Sequence, residues 1–252
     1  NLVFKVINAD TTQAEFKSGS IDIATVEGLT KADIDSLVKD GYKKVDYDNY
    51  MFTYMGFNLR KEELKDVKVR QAFMHAINRQ GIVDKVVEGR GKIVNAPMLP
   101  SSWAYPEDSQ LDGYKYDVEK AKSLLKEAGW EDKDGDGIVE NKDGKKLELT
   151  LVCQTNHPIR EKTAVVIQEN LKEIGVKIDI DSMEYSSVMD QVVANHEFDL
   201  YMMGNTLSLD PDPRPMWHSD AISKKKGVVG YNIVAYYNEE TDKLIEKGNS
   251  TL

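Results

Sequence analysis

Asp132, Asp134 and Asp136 alternate within the stretch EDKDGDGIVENKDG (131–144), and Gly137 follows at once. Carboxylates at positions 1, 3 and 5 with glycine at 6 open a calcium loop: the acidic side chains supply hard oxygen ligands and the glycine permits the sharp turn. A complete loop also wants a bidentate glutamate at position 12 and a helix on each side. Counting from Asp132, position 12 is Asp143, one methylene shorter. Gly129 ends the helical pattern upstream, Lys145 and Lys146 lead into a strand-like run downstream, and Lys133 and Lys142 weaken the negative potential. The pattern predicts a helix-to-strand turn without a metal, with Asp132, Asp134, Asp136 and Asp143 as the candidate ligands were calcium to bind. Asp side chains suit such a turn because they bond nearby backbone N–H groups, and Gly accepts positive φ.

Other catalytic chemistry finds little support. Cys153 and His157 could pair as a thiol and its base, but Cys153 closes an apolar strand-like run, where a cysteine is expected to be buried. As the only cysteine it can form neither an intrachain disulfide nor a thiolate zinc cluster. His75, His157, His196 and His218 lack metal-ligand spacing, and His75, off the apolar face of its helix, reads as solvated. GxGxxG, GxxxxGK[ST] and GxSxG are all missing. The residues make no positive case for an enzyme or for a cofactor.

The elements that would position such groups alternate along 252 residues. Runs 1–7 and 21–26 read as strands, and 11–20 as a short helix stopped by Gly19. Run 29–41 reads as a helix with Thr30 as cap, Asp33 three residues on and Gly41 at its end. A long β-prone stretch, 42–58, precedes a helix over 66–89 capped by Asp66, with Val69, Ala72, Phe73, Ala76 and Ile77 on one face. Run 92–108 is a proline-containing loop. The clearest helix, 116–130, has Asp117 as cap and Val118, Ala121, Leu124, Leu125 and Ala128 as its stripe. Strands over 146–153, 176–183 and 198–205 then alternate with helices over 159–175 and 185–196, and a last helix begins at 240. The predicted fold class is α/β, a mixed sheet flanked by helices. With 33 Lys+Arg against 43 Asp+Glu, a net charge of -10 argues against nucleic acid as a partner.

Six segments, in order, resemble one family: FKSGSIDIATV (16–26), YMGFNLRKEELKDVKVRQAFMHAINRQGIV (54–83), YDVEKAKSLLKEAGWEDKDGDGIVENKDGKKLELTL (116–151), IQENLKEIGVKIDI (167–180), FDLYMMGNTLSLDPDPRPMWHSD (198–220) and YYNEETDKLIEKG (236–248). They are similar to the oligopeptide/dipeptide/nickel class of extracytoplasmic solute-binding proteins, the capture subunits of ABC importers, and most like Gram-positive oligopeptide binders. The resemblance implies a periplasmic-binding-protein-like lobe over 1–252, the C-terminal lobe of a longer two-lobe protein whose N-terminal lobe closes over a peptide. It implies ABC permease subunits as partners. It also implies an extracytoplasmic location: a surface lipoprotein in a Gram-positive cell, the periplasm in a Gram-negative one. In such proteins an Asp/Gly-rich turn after AGW links a helix to a strand, in line with the turn reading. A non-peptide solute on the same fold, such as a nickel chelate or a sugar, and a calcium-stabilised structural module are the alternatives.

Carried over residue by residue, the resemblance points to Tyr54, Met55, Gln154, Asn156, His157, Tyr185, Asn205, Thr206 and Ser208 as ligand contacts. It also marks departures. Many relatives have Trp where this chain has Asn205. Relatives that grip a ligand's α-amino group with an aspartate three residues further on are matched by Ser208, and an arginine used for ligand carboxylates falls near Met202.

Overall fold

The computed structural model describes residues 2–7, 11–25, 29–48, 50–207 and 210–251. The chain forms two compact units, Asn1–Tyr47 and Asp48–Leu252. The smaller holds α1 (Thr12–Lys17) and α2 (Lys31–Lys39). Thr30 and Asp33 form a reciprocal capping box at the start of α2, satisfying two amides that the helix would otherwise leave bare. Tyr42 stacks on Phe16, centroids 4.4 Å apart. Neither 2–7 nor 21–25 is a strand, contrary to the sequence expectation; Val26 lies outside the described residues. Leu2, Val3, Phe4 and Val6 are exposed. β-prone residues make a strand only where a partner strand takes their hydrogen bonds, and none of the described residues does so here.

The larger unit runs β1 (Met51–Phe57), α3 (Glu62–Lys65), α4 (Val67–Ala76), α5 (Arg79–Lys85), α6 (Val118–Glu127), β2 (Glu148–Gln154), α7 (Pro158–Lys172), β3 (Lys177–Met183), α8 (Tyr185–Val188), β4 (Leu200–Thr206), α9 (Arg214–Trp217) and α10 (Glu239–Thr251). The sheet order is β1-β4-β2-β3, with β1 antiparallel to β4 and β2 parallel to both β3 and β4. This is the mixed sheet expected of an α/β fold. Within the β-prone stretch 42–58, the strand is Met51–Phe57.

Alternation along the strands splits the core in two. Leu149, Leu151, Cys153, Leu200 and Met202 face a cluster with residues of α4, α6 and α7. Val152 and Tyr201 face the other way, with Val188, Val192, Val193, Phe198 and Ile233. The helix expected over 66–89 breaks at Ile77, whose ψ is 116°. Asn78 stops it: its side chain accepts from Gly81 N to start α5, and its own amide donates to Asn170 Oδ1 at 3.0 Å. The expected helix over 185–196 begins as α8 and widens into a π turn, Met189–Ala194. His75 is not simply solvated: Nδ1 lies 2.8 Å from the Lys115 carbonyl and the ring meets Tyr114 edge-on.

Candidate functional site

β1 and β4 set the site. Their register places Tyr54 opposite Met203 and Gly56 opposite Tyr201. Gly56 has to be glycine, because a Cβ there would overlap the Tyr201 ring. That room lets Tyr201 lie buried with its hydroxyl 3.2 Å from that of Tyr54, the rings edge to face at 5.7 Å. Burial pushes both phenol pKa values up, so both stay neutral and donate or accept as hydroxyls.

Above this pair, toward the C-terminal end of β4, opens a cavity of about 510 Å³. Its wall is aromatic and sulfur-rich: Tyr54, Trp103, Tyr185, Met189, Met203 and Trp217 all contribute. Polar groups are few, among them Ser101, Ser102, Asn205 and Thr206. A second cavity of about 410 Å³ adjoins it along β1 and shares Tyr54, Met216 and Trp217. Volumes of this size and an apolar wall with sparse polar groups are the usual make-up of a small-molecule or peptide pocket. Methionine adds a flexible, polarisable surface that repacks around different side chains.

Of the residues expected at the ligand, Tyr54, Tyr185, Asn205 and Thr206 lie on the larger cavity, and Met55 lies on the smaller. Asn205 Nδ2 is held by Met216 Sδ at 2.8 Å. Gln154, Asn156 and His157 line neither cavity; they form the turn from β2 into α7. His157 caps α7, its Nδ1 accepting from Arg160 N. Asn156 adopts φ 58°, with its amide on Glu161 Oε1 at 3.0 Å and its side chain on Glu184 Oε1 at 3.3 Å. Ser208 lies outside the described residues.

The model of the bacterial extracellular solute-binding proteins, family 5, middle region, matches residues 1–226. The chain belongs to this family. The oligopeptide-binding protein AppA of Bacillus subtilis is 38% identical over 252 residues, 99% of this chain and 45% of that protein. The structure of that AppA with a nonapeptide superposes with a TM-score of 0.83 at 37% identity, covering 96% of this chain and 47% of that one. NikZ of Campylobacter jejuni in complex with Ni(L-His) gives 0.78 at 30%, covering 95% and 46%. The chain thus spans just under half the length of these relatives. The family is one of solute-binding proteins rather than enzymes.

Residues not expected at the ligand line much of the larger cavity. Trp103 sits in the proline-containing loop, 71% exposed on the cavity rim; an exposed tryptophan in an aperiodic loop is the signal that could have flagged it. Met189 comes from the π turn, and Trp217 from α9, where its ring meets Tyr236 edge-on at 5.9 Å.

The remaining candidates resolve into structural roles. Cys153 is fully buried, its thiol 3.7 Å from the Gln154 carbonyl, and burial pushes its pKa up. That disfavours the thiolate a nucleophile needs. The Asp loop is a turn joining α6 to β2. Asp132 accepts from Gly135 N and Gly137 N at 2.8 and 2.9 Å, Asp134 from Asp136 N, and Asp136 from Ile138 N. Oxygens of Asp132, Asp134 and Asp136 gather within 4.8 Å of one another; Asp143 is not in that group. The Lys146 ammonium pairs with Asp134 at 3.1 Å and also with Asp136. Its hydrogen bond holds the Asp136 carboxyl below the usual carboxylate range.

Proposed function

We propose that this chain captures oligopeptides for an ABC importer, on the extracytoplasmic side of a bacterial membrane. The unit from Asp48 onward would supply one wall of the binding cleft, and a lobe outside this chain the other. The observation that carries the reading is the cavity of about 510 Å³ at the end of β4, walled by Tyr, Trp and Met around a few hydroxyl and amide groups. Such a wall accepts side chains of many shapes, which a peptide scavenger needs. Fixed recognition then falls to backbone hydrogen bonds. The nonapeptide in the AppA complex and the conserved extent of the superposition support the same ligand class. No described helix is long and apolar enough to cross a membrane.

The test is titration of a peptide pool into this chain and into the complete polypeptide that contains it. One wall leaves the ligand half solvated. If half of a micromolar site's free energy of about -8 kcal/mol is lost, the dissociation constant of the chain alone falls in the millimolar range. Submicromolar binding by this chain would show that it holds a complete site. Failure of the complete polypeptide to bind any peptide would sink the peptide reading.

A further inference from the structure

Glu140 is a buried carboxylate that the turn between α6 and β2 leaves half satisfied. It is only 6% exposed. Oε1 accepts from Lys133 N at 3.0 Å, inside the Asp loop, while Oε2 is buried with no hydrogen-bond partner among the described residues. Two ammonium groups of the turn are engaged elsewhere: Lys133 Nζ donates to the Asn141 carbonyl at 2.7 Å, and Lys146 pairs with Asp134 and Asp136. The backbone of Glu140 is held by bridges to Glu131 and Lys146, and the Val139 amide before it donates to the Gly175 carbonyl at 2.8 Å. A carboxylate oxygen kept from water in this way is costly, and proteins ordinarily give it a donor or a cation.

Counted from Asp132, Glu140 is position 9, which is a ligand position of a calcium loop, as 1, 3, 5 and 7 are. The expectation of a metal-free turn rests on position 12, and Asp143 does stand outside the acidic group. The structure changes the ligand set. After the loop the chain enters a strand-like bridge rather than a helix, and the acid turned inward there is Glu140. Asp132, Asp134 and Asp136 already bring oxygens within 4.8 Å of one another. Glu140 meets them through Lys133, whose amide it holds between Asp132 and Asp134. Oxygens on opposite sides of a calcium ion stand about 5 Å apart, so Glu140 need not lie within that distance of all three. The Lys146 ammonium, 3.1 Å from Asp134 and also paired with Asp136, shows that the spot draws a cation.

From this we infer that the turn is a calcium site, with Asp132, Asp134, Asp136 and Glu140 as side-chain ligands and the Ile138 carbonyl at position 7, and that calcium displaces the Lys146 ammonium. The inference goes beyond the peptide-capture reading and does not depend on it, since none of these residues lines either cavity. Calcium suits the set because it takes six to eight oxygens in flexible geometry, whereas magnesium demands a near-ideal octahedron and gives up its water reluctantly. Displacing an ammonium weakens the site, which places it in the range of about 10⁻⁴–10⁻³ M found for extracellular modules. Bound there, the ion would fasten the link from α6 to β2 and, through Val139, the Gly175 turn before β3.

The experiment titrates calcium chloride into nitrogen-labelled chain stripped with a chelator, at constant ionic strength, with magnesium chloride in parallel. The amide signals of Gly135 and Gly137 report the loop, and thermal unfolding reports the fold. Calcium should move both glycine signals with a dissociation constant of about 10⁻⁴–10⁻³ M. At about 10 mM it should raise the melting temperature by about 3–10 °C, and magnesium should do neither. Glu140→Gln keeps an acceptor for Lys133 N but loses the charge, and should weaken calcium binding about tenfold. Lys146→Gln removes the competing ammonium and should tighten it about threefold. Glycine signals that stay still up to about 10 mM calcium overturn the inference, and so does an equal response to magnesium. Binding by Glu140→Gln as tight as that of the parent also overturns it, because the ion would then be gathering on an acidic surface. If Glu140→Gln does not fold, Asp134→Asn, at an exposed position, decides in its place: unchanged calcium binding by that variant overturns the inference.

Discussion

On one face of the sheet Leu149, Leu151 and Leu200 disappear into a core shared with α4, α6 and α7. On the other, Val152 and Tyr201 are covered by α8 and the π turn, while Tyr54, Met203 and Asn205 further along the strands stay on a cavity wall. The strands are the same and so is their period of two. What differs is the cover. The closed face is packed by helices with regular apolar stripes, which interdigitate with the strands and leave no room. The open face is covered by a four-residue helix, a π turn and the aperiodic loop carrying Trp103, which fill space less completely and leave aromatic and sulfur atoms exposed. One face holds the fold together, and the other offers a surface whose apolar contacts are still unmade.

The comparison can be broken most severely on the closed face. Phe73 is fully buried and packs on Phe57 at 5.8 Å. Phe73→Ala should cost about 3–5 kcal/mol in urea unfolding, through lost burial and a residual cavity. A loss under about 1 kcal/mol would mean that this cluster is not the main core. Gly56→Ala acts where the two faces are coupled. The added Cβ must displace the Tyr201 ring, and we expect a loss of about 1–3 kcal/mol from overpacking, with disturbed peptide binding because Tyr201 holds Tyr54.

The phenol pair gives a pH test. The folded-state pKa of Tyr201 is raised above the ordinary 10.0, so above that pH the unfolded chain releases a proton that the folded chain keeps. Stability from this group is therefore fully present below pH 10 and is lost as pH rises beyond it. Tyr201→Phe should lose about 1 kcal/mol at neutral pH with the hydroxyl pair, yet show a shallower decline in alkali. An unchanged alkaline slope would contradict the burial argument. The smallest stability effect should come from the open face. Trp103→Ala is expected to stay within about 0.5 kcal/mol of the parent in unfolding while weakening peptide binding about tenfold. A large loss of stability with unchanged binding would invert the proposed division of labour between the faces.

Local chemistry was legible in the chain itself. The capping box of Thr30 and Asp33, the caps Asp66 and Asp117, the stripe of α6 and the turn at Asp132–Gly137 all depend on contacts within a few residues, and sequence spacing encodes such contacts directly. The alternating strands predicted a mixed α/β sheet for the same reason. Strand formation at 2–7 and 21–25, the break at Asn78 and the widening into a π turn were not legible, because each depends on what stands opposite: a missing partner strand, the Asn170 side chain, the packing beneath β4.

The site divides in the same way. Tyr54, Tyr185, Asn205 and Thr206 could be reached from the sequence because they flank recognisable strands and helix starts. Trp103 belongs to a loop without period, Met189 to a stretch expected as plain helix and Trp217 to a segment marked only by its resemblance, and only folding gathers them at one cavity. Arg160, which lines neither cavity, shows the same division away from the site. In the sequence IREKTAVV it reads as a charged residue in the exposed first turn of an amphipathic helix. Burial and the lack of an acid beside it are properties of its neighbours across β2 and β4, which no local spacing specifies. Sequence by itself determined which elements form and where they are capped, since those energies are local; which charges lose their water, and which face of the sheet is left to bind, only the tertiary structure decided.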